Sequence, residues 1–174
     1  FDGTVSGTRD FFISKFASNG TLLWSTYYGG QDRESGVSLA VDKDNNLYVV
    51  GTTASTDFFT KDAGAGDYFQ PGFSGTVNDA VILKFNQSGT LLWSTYFGDA
   101  SGETLGGRVA CDSRGKVYVG LITEAPSLIL KDLGAGAYYH TTMGGDIFGG
   151  TPSMLRFDNQ GVLEWATHLQ GTGR

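Results

Sequence analysis

Short apolar runs alternate with polar turns along the whole chain. Residues 36–51 read GVSLAVDKDNNLYVVG, and residues 79–97 read DAVILKFNQSGTLLWSTYF, so each segment has two apolar runs on either side of a polar turn. Runs of this length, rich in β-branched and aromatic residues and separated by Asn, Asp and Gly, are typical of strands joined by tight hairpins. Because no stretch shows a capped apolar repeat of 3.6 residues, the pattern predicts an all-β chain.

The strand pattern recurs at an interval of about 70 residues. The segment NGTLLWSTYYG at 19–29 returns as SGTLLWSTYFG at 88–98 and, more weakly, as GVLEWATHLQG at 161–171. Two further segments keep the interval: 36–51 with 106–121, and 61–70 with 131–140. A whole four-stranded unit repeated in tandem is typical of β-propeller blades. The alternative is a β-sandwich with duplicated hairpins, an architecture that rarely preserves such a unit in tandem.

Residues 25–59 resemble the bacterial SBBP repeat, a family of β-propeller repeats. They show a strand ending in S-T-Y-x-G-G, an acidic loop, G-x-x-x-A-V-D, a turn and N-x-Y-V-x-G-x-T-x-S-x-D-F. The second copy, residues 94–128, departs from this pattern, because Gly120-Leu121 replaces Val50-Gly51 and EAPSLI replaces ASTDFF. The resemblance implies a propeller fold and a bacterial envelope or secreted setting. It implies no catalytic residues.

The resemblance also implies the order of the strands in each blade, with GVSLAV innermost and TLLWSTYF outermost. All of 1–174 is then part of one propeller domain of about two and a half blades. Its parts are the outer hairpin of a preceding blade at 10–28, one blade at 36–97 and the next at 106–168. Closed propellers have typically four to eight blades. We therefore expect an incomplete part of a larger propeller, completed by the remainder of the protein or by another chain.

The composition restricts the class of partner and the chemistry. Twelve Lys and Arg against eighteen Asp and Glu give a net charge of −6, which argues against nucleic-acid binding. The chain has no apolar run long enough to span a membrane. The chain begins at Phe1 without Met or a signal sequence, as expected of an excised or processed piece. The single cysteine, Cys111, excludes an internal disulfide and is expected to be a small buried side chain rather than a nucleophile.

Alternating strand direction divides the connections between two ends of each sheet. The tight turns share one end, and the long loops 54–78 and 124–151 share the other end with 29–35 and 98–104. Binding residues tend to lie in long loops held by a rigid scaffold. The face formed by the long loops, called here the long-loop face, is therefore the predicted functional face.

Acidic residues form the first candidate site. Glu34 and Glu103 recur in loops that lead into the innermost strands, and Asp32 and Asp99 lie nearby. They could line the mouth of the central channel and bind a cation or a sugar hydroxyl, or they could serve solubility and turn formation. Glycoside hydrolysis needs two carboxylates a few ångströms apart. Acids at equivalent positions of different blades are not expected to meet that distance.

A weaker candidate is a calcium site in the turn DKDNN. Asp42, Asp44 and Asn46 have the spacing of the oxygen ligands that open a calcium loop. The required Glu is absent, since position 53 is Thr53, and the next blade keeps only Asp112 of the acidic pair. The alternative is a solvated hairpin in which the aspartate caps the turn.

Aromatic residues form the last candidate set. The positions that recur in the long loops are Tyr68, Phe69, Tyr138 and Tyr139. They could contact a ligand as exposed aromatics, or they could fold back on the edge of the blade. A separate recurring set, Trp24, Trp93 and Trp165, is expected to pack between blades.

The sequence contains no arrangement typical of Ser-His-Asp catalysis or of a histidine-bound metal. We therefore expect a non-enzymatic binding or scaffold module of a secreted or cell-surface bacterial protein, whose long-loop face contacts a protein or glycan partner. One alternative is a carbohydrate-active or other hydrolytic enzyme with its site at the channel mouth. Another is a structural spacer in a large surface or secretion-linked assembly.

Overall fold

The computed structural model describes residues 3–64, 66–74, 77–144 and 149–169, except for the side chain of Val37. Ten strands run in sequence order: β1 (Phe11–Phe16), β2 (Leu22–Tyr28), β3 (Glu34–Val41), β4 (Leu47–Thr53), β5 (Asp79–Phe85), β6 (Leu91–Phe97), β7 (Thr104–Cys111), β8 (Val117–Thr123), β9 (Thr151–Phe157) and β10 (Leu163–His168). The described residues contain no helix, and hence none that could span a membrane. The prediction of an all-β chain is confirmed.

Three open antiparallel sheets contain all the strands. β1 pairs with β2 alone, β3–β6 form one meander in chain order, and β7–β10 form a second meander. We call these the hairpin, the first blade and the second blade. The two four-stranded antiparallel meanders and the single two-stranded hairpin confirm the predicted propeller blades.

The sheets pack face to face, with the innermost strands β3 and β7 in contact. This packing covers both faces of strand β5. All seven of its residues, DAVILKF, are buried. Its side chains alternate between two cores: Val81 and Leu83 face the hairpin, and Ala80 and Ile82 face the second blade. A strand covered on both faces loses the alternation of apolar and polar residues.

The core between the hairpin and the first blade is the hairpin interface. Its buried residues are Phe11, Ile13, Val49, Phe58, Val81, Leu83, Phe85 and Tyr96. The core between the two blades, the blade interface, is larger and includes Tyr48, Ile82, Trp93, Phe97, Val119, Leu155 and Phe157. Burial of one such side chain stabilises the fold by about 1.5–3 kcal/mol, so these two layers hold the sheets together.

Each tight turn is closed by a residue with a positive φ. Gly89 (φ +83°) does so between β5 and β6, and Asn45 (φ 62°) between β3 and β4. Glycine adopts this region without steric cost, and asparagine is among the few other residues that tolerate it. Asn and Gly recur in the tight turns of the sequence because these turns require a residue that adopts a positive φ.

Candidate functional site

The long loops begin and end at the predicted end of the sheets, but their middle segments lie along the outer strands. In the first loop, Lys61 and Ser94 exchange backbone hydrogen bonds of 3.0 and 2.9 Å. Further on, Gln70 N donates to Thr95 Oγ1 at 2.8 Å. This corrects the expectation that the whole loop belongs to the long-loop face. Residues 61–64 and 66–70 cover the outer edge of the first blade instead.

The second loop repeats this anchoring on β10. Lys131 and Ala166 exchange backbone hydrogen bonds of 3.0 and 2.9 Å. His140 N donates to Thr167 Oγ1 at 2.8 Å. The two loops are thus held at the same positions of successive blades, which gives them a fixed conformation on the outer edge.

Tyr68 folds back between the blades. Its ring centroid lies 4.9 Å from that of Phe97 in the first blade and 6.4 Å from that of Phe157 in the second. Its N–H donates to Gly161 O at 2.9 Å, in a tight turn of the second blade. Burial raises the pKa of its hydroxyl. Tyr68 therefore joins the two blades rather than facing a ligand on the long-loop face.

The other three candidate aromatics differ in exposure. Phe69 and Tyr139 are half-buried, whereas Tyr138 is 44% exposed. The Tyr138 ring rests on His140, with the centroids 4.8 Å apart, and its carbonyl accepts a hydrogen bond of 2.9 Å from Trp165 Nε1. Tyr138 is thus a fixed aromatic side chain that solvent can reach.

Glu34 is buried, with 1% of its surface exposed. Its carboxylate accepts hydrogen bonds from Thr53 Oγ1 (2.5 Å), Ser55 Oγ (2.7 Å) and Gly30 N (3.3 Å). Burial raises the pKa of Glu34 against the opposing effect of these bonds, and the carboxylate of Asp10 adds to the rise. The side chain fixes the start of β3 to the end of β4 and is closed to a ligand in this conformation.

Gly29 allows the close approach of Asp10 to Glu34. A Cβ atom built on Gly29 would meet Glu34 Oε2, and it would lie 2.7 Å from Asp10 Oδ1. Asp10 in turn accepts hydrogen bonds from Ser6 N (2.9 Å) and Ser6 Oγ (3.0 Å). The two acids thus border one glycine, at the seam between the hairpin and the first blade.

Strand pairing shows that Glu34 and Glu103 are not equivalent, although the sequence aligns them. Glu34 pairs with Thr53, and the residue paired with the matching Thr123 is Thr104. Glu103 lies one position earlier and accepts a hydrogen bond from Asn78 Nδ2. The recurring acidic pair predicted at the channel mouth is therefore wrong as a repeat. The second blade has Thr104 at the position of Glu34.

The two aspartates near these acids have separate turn contacts. Asp32 is exposed, its N–H donates to Ser55 Oγ at 2.9 Å, and its carbonyl accepts from Thr8 N at 3.0 Å. The Oδ1 atom of Asp99 accepts from Ser101 N at 2.8 Å. Both contacts fit the alternative in which these residues shape their loops.

The turn predicted as a weak calcium site is closed by its own hydrogen bonds. Asp42 Oδ1 accepts from the backbone N–H groups of Asp44 and Asn46, both at 2.9 Å, and Oδ2 accepts from Asn46 Nδ2 at 2.9 Å. Burial raises the pKa of Asp42, but these bonds outweigh it and hold the pKa below its usual value. The described residues contain no group of three His, Cys, Asp or Glu placed to share an ion. Calcium would have to replace the bonds that form the turn.

Sequence reasoning missed a recurring cation in the third strand of each unit: Lys15, Lys84 and Arg156. Lys15 Nζ donates to Gln87 O at 2.9 Å, and Lys84 Nζ donates to the equivalent Asn159 O at 2.5 Å, so both reach a turn of the next unit. Lys84 is 6% exposed and lies over the Tyr48 ring, 5.1 Å from its centroid. The signal was visible as one basic residue at the same position of each strand: FISKF, VILKF and SMLRF.

A buried histidine was missed as well. His168 is fully buried, and its Nδ1 lies 2.7 Å from Ser153 Oγ. Among the described residues, Nε2 has no hydrogen-bond partner. Burial lowers the pKa of His168. The pair is buried and occupies the position of Val81 and Tyr96 in the first blade.

Two of the three recurring tryptophans, and the cysteine, occupy packing positions. Trp93 is 4% exposed and its ring lies 6.4 Å from that of Phe157 across the blade interface. Trp24 makes the matching contact with Phe85 at 6.5 Å across the hairpin interface. Cys111 is a half-buried free thiol whose pKa burial raises to about 11. A thiol with a raised pKa is a poor nucleophile.

Comparison with known proteins agrees with this architecture. Residues 23–59 match the model of the SBBP β-propeller repeat family. An uncharacterized WD repeat-containing protein of Acanthamoeba polyphaga mimivirus is 24% identical over 188 aligned residues, which cover 97% of this chain. The chain spans only 13% of the length of that relative.

Proposed function

We propose that this chain, an SBBP-type β-propeller repeat protein, is a non-enzymatic binding and scaffold module of a secreted or cell-surface bacterial protein. Its loops would contact a protein or glycan partner. The family match supports a repeat scaffold, and the resemblance of residues 25–59 favours a bacterial surface setting. The net charge of −6 disfavours an anionic partner.

One observation carries the proposal: rigidly anchored loops expose large apolar side chains at equivalent positions. Phe58 and Leu128 are buried, at 3% and 4% exposure, and the residues that follow them, Phe59 and Ile129, are 61% and 48% exposed. Tyr138 in the second loop is also exposed. Apolar side chains that a fixed backbone holds in solvent favour contact with a partner, because little conformational entropy is lost on binding.

The test is binding of the chain to an array of defined bacterial surface glycans and, for a protein partner, cross-linking that identifies the contacting residues. We expect Phe59→Ala, Ile129→Ala and Tyr138→Ala together to weaken binding at least about tenfold. The matched control is Leu39→Ala with Val41→Ala, since these side chains are as exposed but lie on β3. Equal loss in both variants would contradict recognition by the loops.

The hydrolytic alternative makes a different prediction. It requires turnover of the captured glycan, abolished by Glu34→Gln with Glu103→Gln while capture persists. Burial of Glu34 and its three hydrogen bonds favour a structural role for that acid. The structural-spacer alternative is supported by Tyr68, because this aromatic side chain of a long loop packs between the blades and not against a partner. A spacer would show neither capture nor turnover.

A further inference from the structure

A groove of about 310 Å³ lies between the outer edge of the first blade and the tight turn that joins β9 to β10. We call it the turn groove. Its lining is formed by Ala63, Gly64, Lys84, Leu92, Trp93, Asn159, Gln160 and Val162. The first long loop, the strands of the first blade and the turn of the second blade therefore each contribute a wall.

Trp93 contributes a buried hydrogen-bond donor beside the turn groove. The side chain is 4% exposed, and its Nε1 has no hydrogen-bond partner among the described residues. The equivalent indole of the hairpin, Trp24, donates to Gln87 O at 3.2 Å. A Cβ atom built on Gly161 would lie 3.5 Å from Trp93 Nε1, so the turn that borders the groove also borders this N–H. A buried donor without an acceptor costs free energy, which an acceptor atom of a ligand would recover.

Lys84 contributes a second donor, which is charged. The side chain is 6% exposed, and its Nζ donates to Asn159 O at 2.5 Å. An ammonium group has three donor hydrogens, and within the described part of the chain Nζ makes this one hydrogen bond. In the hairpin, Gln87 O accepts from both Lys15 and Trp24, whereas Asn159 O accepts from the lysine alone. The turn groove therefore has two buried donors that lack a full set of protein acceptors.

The surroundings of Lys84 favour an uncharged acceptor. Burial lowers the pKa of Lys84, and three carboxylates oppose this effect: Asp42, Asp44 and Asp158. Negative charges around the ammonium group disfavour an anionic ligand. A hydroxyl group held between two donors would leave its own proton without an acceptor, whereas a carbonyl oxygen only accepts. The donor set therefore fits the carbonyl oxygen of a neutral amide.

We propose that the turn groove binds an acetamido sugar, a neutral N-acetylated residue of a glycan. The carbonyl oxygen of the acetamido group accepts from Lys84 Nζ and Trp93 Nε1, and its methyl group contacts Leu92 and Val162. Because Nε1 is buried, the bond to it requires the turn at Gly161 to shift outward. This assignment rests on the glycan partner of the proposed function and gives that partner a contact away from the long-loop face.

The rim and the size of the turn groove support a sugar. The exposed side chains of Asn159 and Gln160 carry amides, which both donate to and accept from ring hydroxyls. A volume of about 310 Å³ is at the lower end of the range for ligand pockets. It fits one sugar ring rather than an extended peptide.

N-acetylglucosamine is the probe, and glucose is the control that lacks the acetamido group. We expect N-acetylglucosamine to shift the indole N–H resonance of Trp93 and the backbone N–H resonance of Gly161, and glucose to bind about tenfold more weakly. Equal binding of the two sugars would overturn the acetamido contact. Tighter binding of glucuronate would show an anion site, and equal binding of N-methylacetamide would show a site for an amide without a sugar. Either result would overturn the proposal.

Two pairs of variants locate the binding in the turn groove. Gln160→Trp should fill the groove and abolish the shift of the Trp93 resonance. Its matched control is Ser88→Trp, because Ser88 is exposed at the equivalent position of the turn between β5 and β6, outside the lining. Lys84→Met should weaken binding about tenfold, and Lys15→Met should leave it unchanged. Because Lys84→Met also removes a buried hydrogen bond of the fold, Gln160→Trp decides the matter, and unchanged binding in that variant would refute the site.

The loop variant of the proposed function separates the two claims. Phe59→Ala, Ile129→Ala and Tyr138→Ala together should leave the binding of N-acetylglucosamine unchanged, because these side chains lie outside the lining of the turn groove. If the sugar left the Trp93 resonance unmoved while the loop variant lost glycan capture, the turn groove would be refuted and recognition by the loops would stand. If the sugar bound at Trp93 while the loop variant captured glycans as well as the parent chain, the turn groove would stand and recognition by the loops would fail.

Discussion

The hairpin interface and the blade interface are built from equivalent strands but are sealed differently. In the blade interface Tyr68 closes the space beside Phe157, and Lys84 reaches the turn of the second blade from a buried position. In the hairpin interface a groove remains beside Phe85, and Lys15 makes the equivalent contact while half-exposed.

The difference shows that a blade contributes more than its strands to its neighbour. The strand cores alone bring the sheets together, since the hairpin already buries Phe11 and Ile13 against the first blade. The long loop then adds the ring of Tyr68 to the contact, and the buried Lys84 adds a hydrogen bond to Asn159 O, beside the turn groove of about 310 Å³ lined by Lys84, Trp93 and Asn159. Interactions of buried groups are stronger, because the local dielectric constant is lower. Equivalent substitutions in the two interfaces should therefore differ in cost.

The largest difference is expected for the equivalent phenylalanines. Phe157→Ala removes a ring packed against three aromatics, and Phe85→Ala removes one whose outer side faces the groove. Large-to-small core substitutions cost about 3–5 kcal/mol, and we expect Phe157→Ala near the upper end and Phe85→Ala near the lower. Urea unfolding measures both. A larger loss for Phe85→Ala would reverse the comparison.

The tyrosines of the two long loops should differ next. Tyr68→Ala removes a ring held between the blades and should lower the free energy of unfolding by about 2–3 kcal/mol. Tyr138→Ala should cost below about 0.5 kcal/mol, because its ring is exposed and its carbonyl still accepts from Trp165. Similar losses for both variants would mean that Tyr68 owes its contribution to its own loop and not to the neighbouring blade.

The cations provide a smaller test. Lys84→Met leaves Asn159 O without its buried donor and removes the charge from the Tyr48 ring, so we expect a loss of about 2 kcal/mol. Lys15→Met should cost below about 0.5 kcal/mol, because water can reach Gln87 O once the half-exposed side chain is gone. Thermal unfolding of the two variants measures the difference. An equal shift in Tm would show that the buried cation stabilises the fold no more than the half-exposed one.

The sequence alone predicted the strands, the tight turns and the blade repeat, because period, turn chemistry and internal similarity are local signals. It could not predict how Tyr68 is used, since the same letters recur at Tyr138 in a different environment. It also misaligned Glu34 with Glu103, because the loop lengths differ by one residue and only strand pairing reveals Thr104 as the equivalent. Strand register and burial depend on the tertiary structure. They determine whether each candidate side chain is accessible to a ligand or packed inside the fold.

The two interfaces also carry buried ionisable groups with opposite linkage to pH. In the hairpin interface the pKa of Glu34 is raised above 4.5, so its contribution to stability is present below that pH and is lost as pH rises through the folded pKa. In the blade interface the pKa of His168 is lowered below 6.5, so the unfolded chain binds the proton more readily than the folded one. Its contribution is present above pH 6.5 and is lost as pH falls towards the folded pKa.

His168→Asn should therefore flatten the dependence of stability on pH just below 6.5, because Asn keeps a group near Ser153 but does not titrate. The free energy of unfolding, measured by urea at several pH values, should fall with decreasing pH in the parent chain and change less in the variant. The chain offers a matched control for the His→Asn change in its second histidine, since His140 is exposed. The smaller side chain of Asn can lower the free energy of unfolding at every pH. The slope of that free energy against pH depends only on the difference in bound protons between the folded and unfolded chains. If the parent and His168→Asn shared one slope, the buried histidine would carry no linkage, and the pH response would have to come from other ionisable groups.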